Sequence, residues 1–290
     1  MESIVLPGVE IRTAVLFGMF ITCLWLESRW PLRKATQPKT KRVTINLLIA
    51  VTSAVLLRLI FYPVVIKVSE MVELRSWGLL PWIGASGFLA TVLAILALDY
   101  TLYIWHQLMH KMPFLWRFHN VHHIDLDLDN STALRFHFGE LALSTFYRSA
   151  QIIIIGIGVF DLILFEACVT TFAQFHHSNI RLPIRLERIL GRFIITPRMH
   201  GIHHSIVREE TDSNFGTIFI LWDRLHRSFR VDVAQSEIII GVPSYRDPAE
   251  QTFWRSLLIP FKRQRPWRLP DGSNPDRKAT SSQNDLLILN

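Results

Sequence analysis

Residues 95–123 read ILALDYTLYIWHQLMHKMPFLWRFHNVHH, and this stretch decides the fold. It opens as an apolar run with one carboxylate, Asp99, and ends in two histidine clusters, His106–His110 and His119–His122–His123. Spacings of three and four residues put side chains on one helix face, so each cluster aims its imidazoles at one point. Pro113 interrupts the chain between the clusters and lets two helices turn toward a shared centre. Farther along, His200–His203–His204 repeats the second pattern, so eight of the twelve histidines fall into three clusters. Neutral imidazole is the commonest metal ligand. Eight imidazoles exceed what one structural zinc takes, and a multi-metal centre is expected.

Working outward, half of the 290 residues are hydrophobic and only 19% are charged, and the apolar residues come in runs. That composition is that of an integral membrane protein. The net charge of +7 resides in loops flanking the apolar runs. This distribution fits anionic lipid headgroups and orientation in a bilayer, and no nucleic acid partner is expected. Cys23 and Cys168 both lie inside apolar runs, which excludes a disulfide framework and a thiolate metal site. The first apolar run lacks a charged leader and a cleavage site and reads as a retained span.

A bilayer core takes roughly 20 apolar residues per helix, and residues 9–26, 43–66 and 82–105 qualify. Loop 27–42 carries six basic residues against Glu27, whereas loop 67–81 is balanced. The positive-inside rule therefore places the first loop in the cytoplasm, the second outside, and His106 and His110 at the cytoplasmic surface. Residues 141–175 are interrupted by Gly156, Gly158 and Asp161. They are expected to form a re-entrant hairpin whose arms, roughly 22 Å long by helix rise, stop short of the far side. A single span preceded by an interfacial helix is the alternative. Arg58, deep in the second span, is expected either to pair with Asp161 at the hairpin tip or to snorkel. An arginine-rich amphipathic helix follows residue 177, and from about 265 the chain reads as a disordered tail. The expected fold is all-α and polytopic, with three full spans, the hairpin and a cytoplasmic histidine-rich helical di-metal cap. Residues 1–94 would be the anchor spans, 95–235 the catalytic domain and 236–290 a C-terminal segment.

Asp99-Tyr100, His106-Gln-Leu-Met-His110 and Trp116-Arg-Phe-His119-Asn-Val-His122-His123 also carry a resemblance. With Arg135-Phe-His137, Phe175-His-His177-Ser-Asn179, His200-Gly-Ile-His203-His204, Asn214-Phe-Gly216 and Trp222-Asp223, the chain resembles the integral-membrane fatty acid hydroxylase and sterol desaturase superfamily over roughly 95–227. The resemblance implies a cytoplasm-facing di-metal centre, normally di-iron, that activates molecular oxygen on a lipid. Its ligands would be His106, His110, His119, His122, His123, His137, His177, His200, His203 and His204. Asp99, Asn214 and Asp223 would be catalytic, with Asp99 accepting the free ring N–H of a ligand. Three departures blur the subfamily: Gln107 where arginine is usual, Phe138 where proline is usual, and Leu225-His226-Arg227 where Phe-Gly is usual.

Hydroxylation of a lipid C–H bond is the leading expectation, with desaturation on the same centre as the alternative. A zinc hydrolase would need a glutamate base beside its histidines, as in HExxH, and no cluster has one. A metal transporter would carry its histidines at mid-membrane, away from the ends of the spans. Zinc could substitute for iron, since a histidine-only site suits both. The chain has no haem or iron–sulfur motif, so an external donor is expected, a b-type cytochrome or a ferredoxin-like protein with its reductase.

Overall fold

A computed structural model describes residues 9–277; the side chains of 9–14 and 58 lie outside the description. The chain is helical, with three isolated β-bridges among the described residues. Helix α1 (Val9–Arg29) covers the first expected span. Helix α2 (Lys39–Leu56) continues through a π turn (Leu57–Phe61) into α3 (Tyr62–Arg75). The π turn has a cause: Pro63 offers no N–H and its ring crowds the carbonyl four residues back, so the ladder widens there. After the short α4 (Leu79–Trp82), α5 (Gly87–Lys111) carries the opening stretch to its first two histidines, and α6 (Pro113–His123) starts on Pro113 at its first turn.

Helices α7 (Phe138–Ile155) and α8 (Val159–His177) form the hairpin, turning at Gly156, which is left-handed at φ 88°. The expectation of a shallow turn is corrected. The arms hold 18 and 19 residues, about 27 Å by helix rise. The tip docks on the far end of the bundle: a Cβ on Gly78 would stand 2.3 Å from Gly156 Cα, and Ser69 Oγ donates to Ile157 O at 2.8 Å. Close packing of the two glycines is what lets the tip reach that loop. Asp161, near the tip, accepts from Thr91 Oγ1 at 2.8 Å. The expected partner, the Arg58 side chain, lies outside the described residues.

Among the described residues three stretches are long and apolar enough to cross a membrane: Lys39–Trp82, Gly87–Lys111 and Val159–His177. The third is the returning arm of the hairpin. Leu59, Phe88, Phe146 and Phe160 point outward from these helices and their neighbours, at least 70% exposed. Such exposure suits lipid and would be a liability in water.

At the histidine end a polar cap closes the bundle. Residues 124–137 fold over the start of α2, where Arg42 meets Asp125 at 2.9 Å and also pairs with Asp129. Burial alone would raise the Asp125 carboxyl, but Arg42, Arg135, Asn46 and Thr132 together hold it below its ordinary value. Helices α9 (Ile184–Leu190) and α10 (Pro197–His203) complete the cap, the latter again starting on proline. The segment expected to be disordered from about 265 is largely exposed but is instead tied down at Trp267 and Arg277. Trp267 lies 5.8 Å from Trp116 and donates to Ile206 O, and Arg277 forks onto Glu210 with both bonds at 2.8 Å. Apolar burial of one tryptophan and a bidentate ion pair outweigh what proline, serine and charge content indicate locally.

Candidate metal centre

The C-terminal ends of α5, α6 and α8 and the whole of α10 converge beneath the cap, each delivering its cluster from one helix face. Two groups result. His106, His110, His119, His123 and His203 form the first, and His122, His177, His200 and His204 the second. Within each, one ring nitrogen per residue lies within 4.8 Å of all the others. The HxxHH clusters are split between the groups: His119 and His123 face one side and His122 the other, as do His203 against His200 and His204. Adjacent residues on a helix point about 100° apart, so a doubled histidine serves two centres.

The outer nitrogens of several rings are tied to protein acceptors, which fixes the tautomer. His106 Nδ1–H donates to Phe215 O at 2.8 Å, His203 Nδ1–H to Ser213 O at 2.7 Å, and His177 Nδ1–H to Ala173 O at 2.8 Å. His119 Nδ1–H donates to the Glu140 carboxylate at 2.9 Å, and Asp212 stands 3.5 Å from His110 Nδ1. With the proton on Nδ1, the Nε2 lone pair points inward. The Nε2 atoms of His110, His119, His123 and His203 are buried with no hydrogen-bond partner among the described residues. In the second group Nε2 meets Nε2: His122 to His177 at 3.0 Å, His200 to His177 at 2.9 Å and His204 to His200 at 3.1 Å.

Left alone, such orphaned acceptors cost about 1–3 kcal/mol each. A metal ion in each group would satisfy all of them, and nitrogens around a tetrahedral ion with bonds of about 2.0–2.1 Å stand roughly 3.3 Å apart, close to the 2.9–3.1 Å spacings of the second group. Burial first, and neighbouring histidines second, push His122, His123, His200, His203 and His204 well below their ordinary values. The rings are therefore neutral, the state in which imidazole binds metal. The residues present fit two ions.

His137 is the one expected ligand that the fold does not bring in. It caps α7: Nδ1 accepts from Gly139 N at 2.9 Å, and Nε2–H donates to Leu257 O at 3.2 Å. Both nitrogens are occupied, so neither is available to a metal. His176, which precedes His177, is buried and lines the neighbouring cavity.

None of the three residues expected to be catalytic hydrogen-bonds to a ring of either histidine group. Asp99 does not accept from a ligand ring. It accepts from Ile218 N at 3.2 Å, Phe219 N at 3.1 Å and Trp222 Nε1 at 2.7 Å. Asp223 accepts from Phe215 N and Gly216 N, both at 2.8 Å, and from Ser228 Oγ at 2.7 Å. Burial raises the Asp223 carboxyl to about 6 despite these bonds. Asn214, left-handed at φ 51°, donates to Met199 O and Arg230 O. Together they shape the 213–222 loop, and that loop presents the Ser213 and Phe215 carbonyls to His203 and His106. Sequence reasoning missed Glu140 and Asp212. Glu140 lies one turn into α7 with no motif around it, and only the crossing of α7 with α6 puts it beside His119.

A cavity of about 620 Å³ opens from the histidines. His106, His119, His122, His177 and His200 form one end, and its walls run between α2, α3, α5, α7 and α8. Apolar side chains such as Leu57, Leu102, Met109 and Val169 line most of it.

Residues 91–228 match the family model described as fatty acid hydroxylase. This stretch is a fatty acid hydroxylase domain. It includes both histidine groups and the 213–222 loop. The ornithine lipid hydroxylase of Rhizobium tropici is 29% identical over 174 residues, 60% of this chain and 50% of that protein. Human alkylglycerol monooxygenase is 27% identical over 162 residues, 56% of this chain and 33% of the relative. Rat cholesterol 25-hydroxylase is 26% identical over 165 residues, 55% and 53% of the two chains. The chain thus spans about half or less of the length of these relatives. No solved structure matches it. With its apolar helices and this domain, the chain is a membrane protein.

Proposed function

We propose that the protein hydroxylates a C–H bond of a lipid whose apolar body occupies the cavity, using O2 and two metal ions, iron in the working enzyme. One observation carries this reading: two groups of inward lone pairs, five and four imidazoles, stand beside an apolar cavity between the helices of a membrane protein. All-histidine ligation suits iron or zinc, and zinc could displace iron on overproduction because it lies higher in the Irving–Williams order. When bound, the ions would supply the redox chemistry that O2 activation and attack on an unactivated C–H bond demand. The chain's own residues do the rest. Glu140, Asp212 and the Phe215 and Ser213 carbonyls orient the imidazoles and raise their basicity. The cavity walls exclude water and hold one carbon of the chain against the centre, which is positioning and not acid–base work. The three relatives described above, each named a hydroxylase or monooxygenase, favour hydroxylation over desaturation.

The electrons come from a separate donor on this reading, a b-type cytochrome or ferredoxin-like protein. The histidine end faces the cytoplasm, since it lies with the basic 27–42 loop. The test is direct. Full-length protein purified with iron should carry two metal ions per chain and, with donor, reductase and 18O2, put one labelled oxygen into a lipid extracted from its own membrane. One ion per chain, or lipid products without label, would overturn the proposal.

A further inference from the structure

Away from the histidines, the cavity wall carries a charged pair. Arg148 on α7 and Glu166 on α8 both line it, with Arg148 Nε 3.1 Å from Glu166 Oε1. Glu166 precedes His177 by eleven residues of one helix, roughly 16 Å by helix rise. The pair therefore sits near the middle of the hairpin, among apolar walls, where a guanidinium and a carboxylate are costly and are retained for a role.

Part of that role is to join the arms. Arg148 also lies over the Phe165 ring at 4.9 Å, and its Nη1 donates to Gln151 Oε1 at 2.8 Å. These contacts occupy Nε and Nη1 of Arg148 and Oε1 of Glu166. Among the described residues, Arg148 Nη2 and Glu166 Oε2 have no hydrogen-bond partner, and neither atom is sealed inside the protein. The spare N–H groups on Arg148 Nη2 and the spare lone pairs on Glu166 Oε2 thus belong to one pair with no net charge.

A hydroxyl matches that arrangement, because it accepts from the guanidinium while donating to the carboxylate. A carboxylate or phosphate would gain Arg148 but meet Glu166 as a like charge, and an ammonium would meet the reverse. A hydrocarbon end would leave both atoms unpaired in a dry site. We infer that Arg148 and Glu166 form a binding subsite for a hydroxyl on an otherwise apolar, uncharged substrate. The far end of that substrate, roughly 16 Å away by helix rise, lies at the histidines. The subsite thus acts as a ruler that chooses which carbon reaches the centre. What happens at that carbon rests on the hydroxylase reading; the subsite itself does not.

The test uses the full-length protein in detergent and tritiated tetradecan-1-ol as the probe, displaced by unlabelled tetradecan-1-ol, tetradecane or tetradecanoate. The alcohol should compete at least about tenfold better than either, as a hydrogen bond to charged partners gives. Replacing the pair by apolar residues, Arg148→Leu with Glu166→Met, should preserve the fold, because a buried ion pair is replaceable by well-packed hydrophobes. It should remove the alcohol's advantage without weakening tetradecane. The exchange Arg148→Glu with Glu166→Arg should retain that advantage. Equal competition by all three ligands in the native protein, or an advantage that survives in the apolar double variant, would overturn the subsite. With iron-loaded protein, alkanols of different length should be oxidised at a fixed distance from the hydroxyl. A position fixed from the methyl end would overturn the ruler. Selective alcohol binding without oxidation of any alcohol would support the subsite and count against the hydroxylase reading. Oxidation without selectivity would do the opposite.

Discussion

Replacing Asp223 with Asn changes one atom and isolates what the 213–222 loop does for the metals. The carboxylate receives Phe215 N and Ser228 Oγ on Oδ1 and Gly216 N on Oδ2. An asparagine has one acceptor oxygen and one NH2. If its oxygen faces Phe215 N, the NH2 confronts Gly216 N–H, donor against donor; flipped, it confronts Phe215 N–H. Either way one buried backbone N–H is orphaned, at about 1–3 kcal/mol, and the surviving bonds lose their charge assistance. The expected cost is about 2–4 kcal/mol of stability on the same scale. The consequence for the site is selective. Phe215 O, which holds His106 Nδ1 at 2.8 Å, belongs to the disturbed turn, whereas no ligand of the second group contacts it. Loss of such support typically lowers metal affinity about 10–100-fold. Titrating a chelator against D223N and following metal by mass spectrometry should release one ion per chain well before the other, alongside a lower thermal midpoint in detergent. Unchanged midpoint and release, or parallel loss of both ions, would refute the view that this aspartate supports the first group through the loop.

His203→Ala should abolish activity and first-group metal binding while membrane insertion persists, whereas His137→Ala should keep both metals and lose about 1 kcal/mol as an N-cap deletion; metal content separates the two. Metal-free protein should be most stable above about pH 6.5 and weaken as pH falls below it. Its buried histidines have lowered folded-state values, so the unfolded chain binds more protons there. Asp223, raised to about 6, and Asp212, also raised by burial, oppose this but are outnumbered by the histidines, and a flat profile of midpoint against pH would contradict the scheme. Gly201→Ala should displace the Arg33 guanidinium, whose Nη1 would stand 2.3 Å from the new Cβ, from Gln235 Oε1 and Pro197 O, at about 1 kcal/mol for the weakened hydrogen bonds, read as a slightly lowered midpoint. Reporters placed after residues 40 and 75 should report opposite sides of the membrane, and one inserted at 157 should agree with 75, since the hairpin tip meets the 77–81 loop; agreement with 40 would sink the full-length hairpin.

The sequence by itself determined the helices, the membrane and the histidines. Apolar runs and three-and-four spacings are local patterns, and local patterns survive in any tertiary arrangement that keeps the helices. Nine of the ten histidines named from sequence do converge, because a cluster on a helix face has one direction in which to point. Only the tertiary structure decided how the nine divide into five and four, since that depends on where α6 and α10 cross the ends of α5 and α8. It also decided that His137 caps a helix: an imidazole beside a helix start and one beside a metal look the same in sequence, and the difference is whether Gly139 N and Leu257 O already claim its nitrogens. Asp99 was legible as a carboxylate needing a partner on α5, but its partners lie more than a hundred residues away in a loop with no periodicity to predict its path. The depth of the hairpin and the Arg148–Glu166 pair were illegible for the same reason. Each rests on a close contact between segments distant in sequence, and such contacts are set by packing of the whole bundle, which no window along the chain contains.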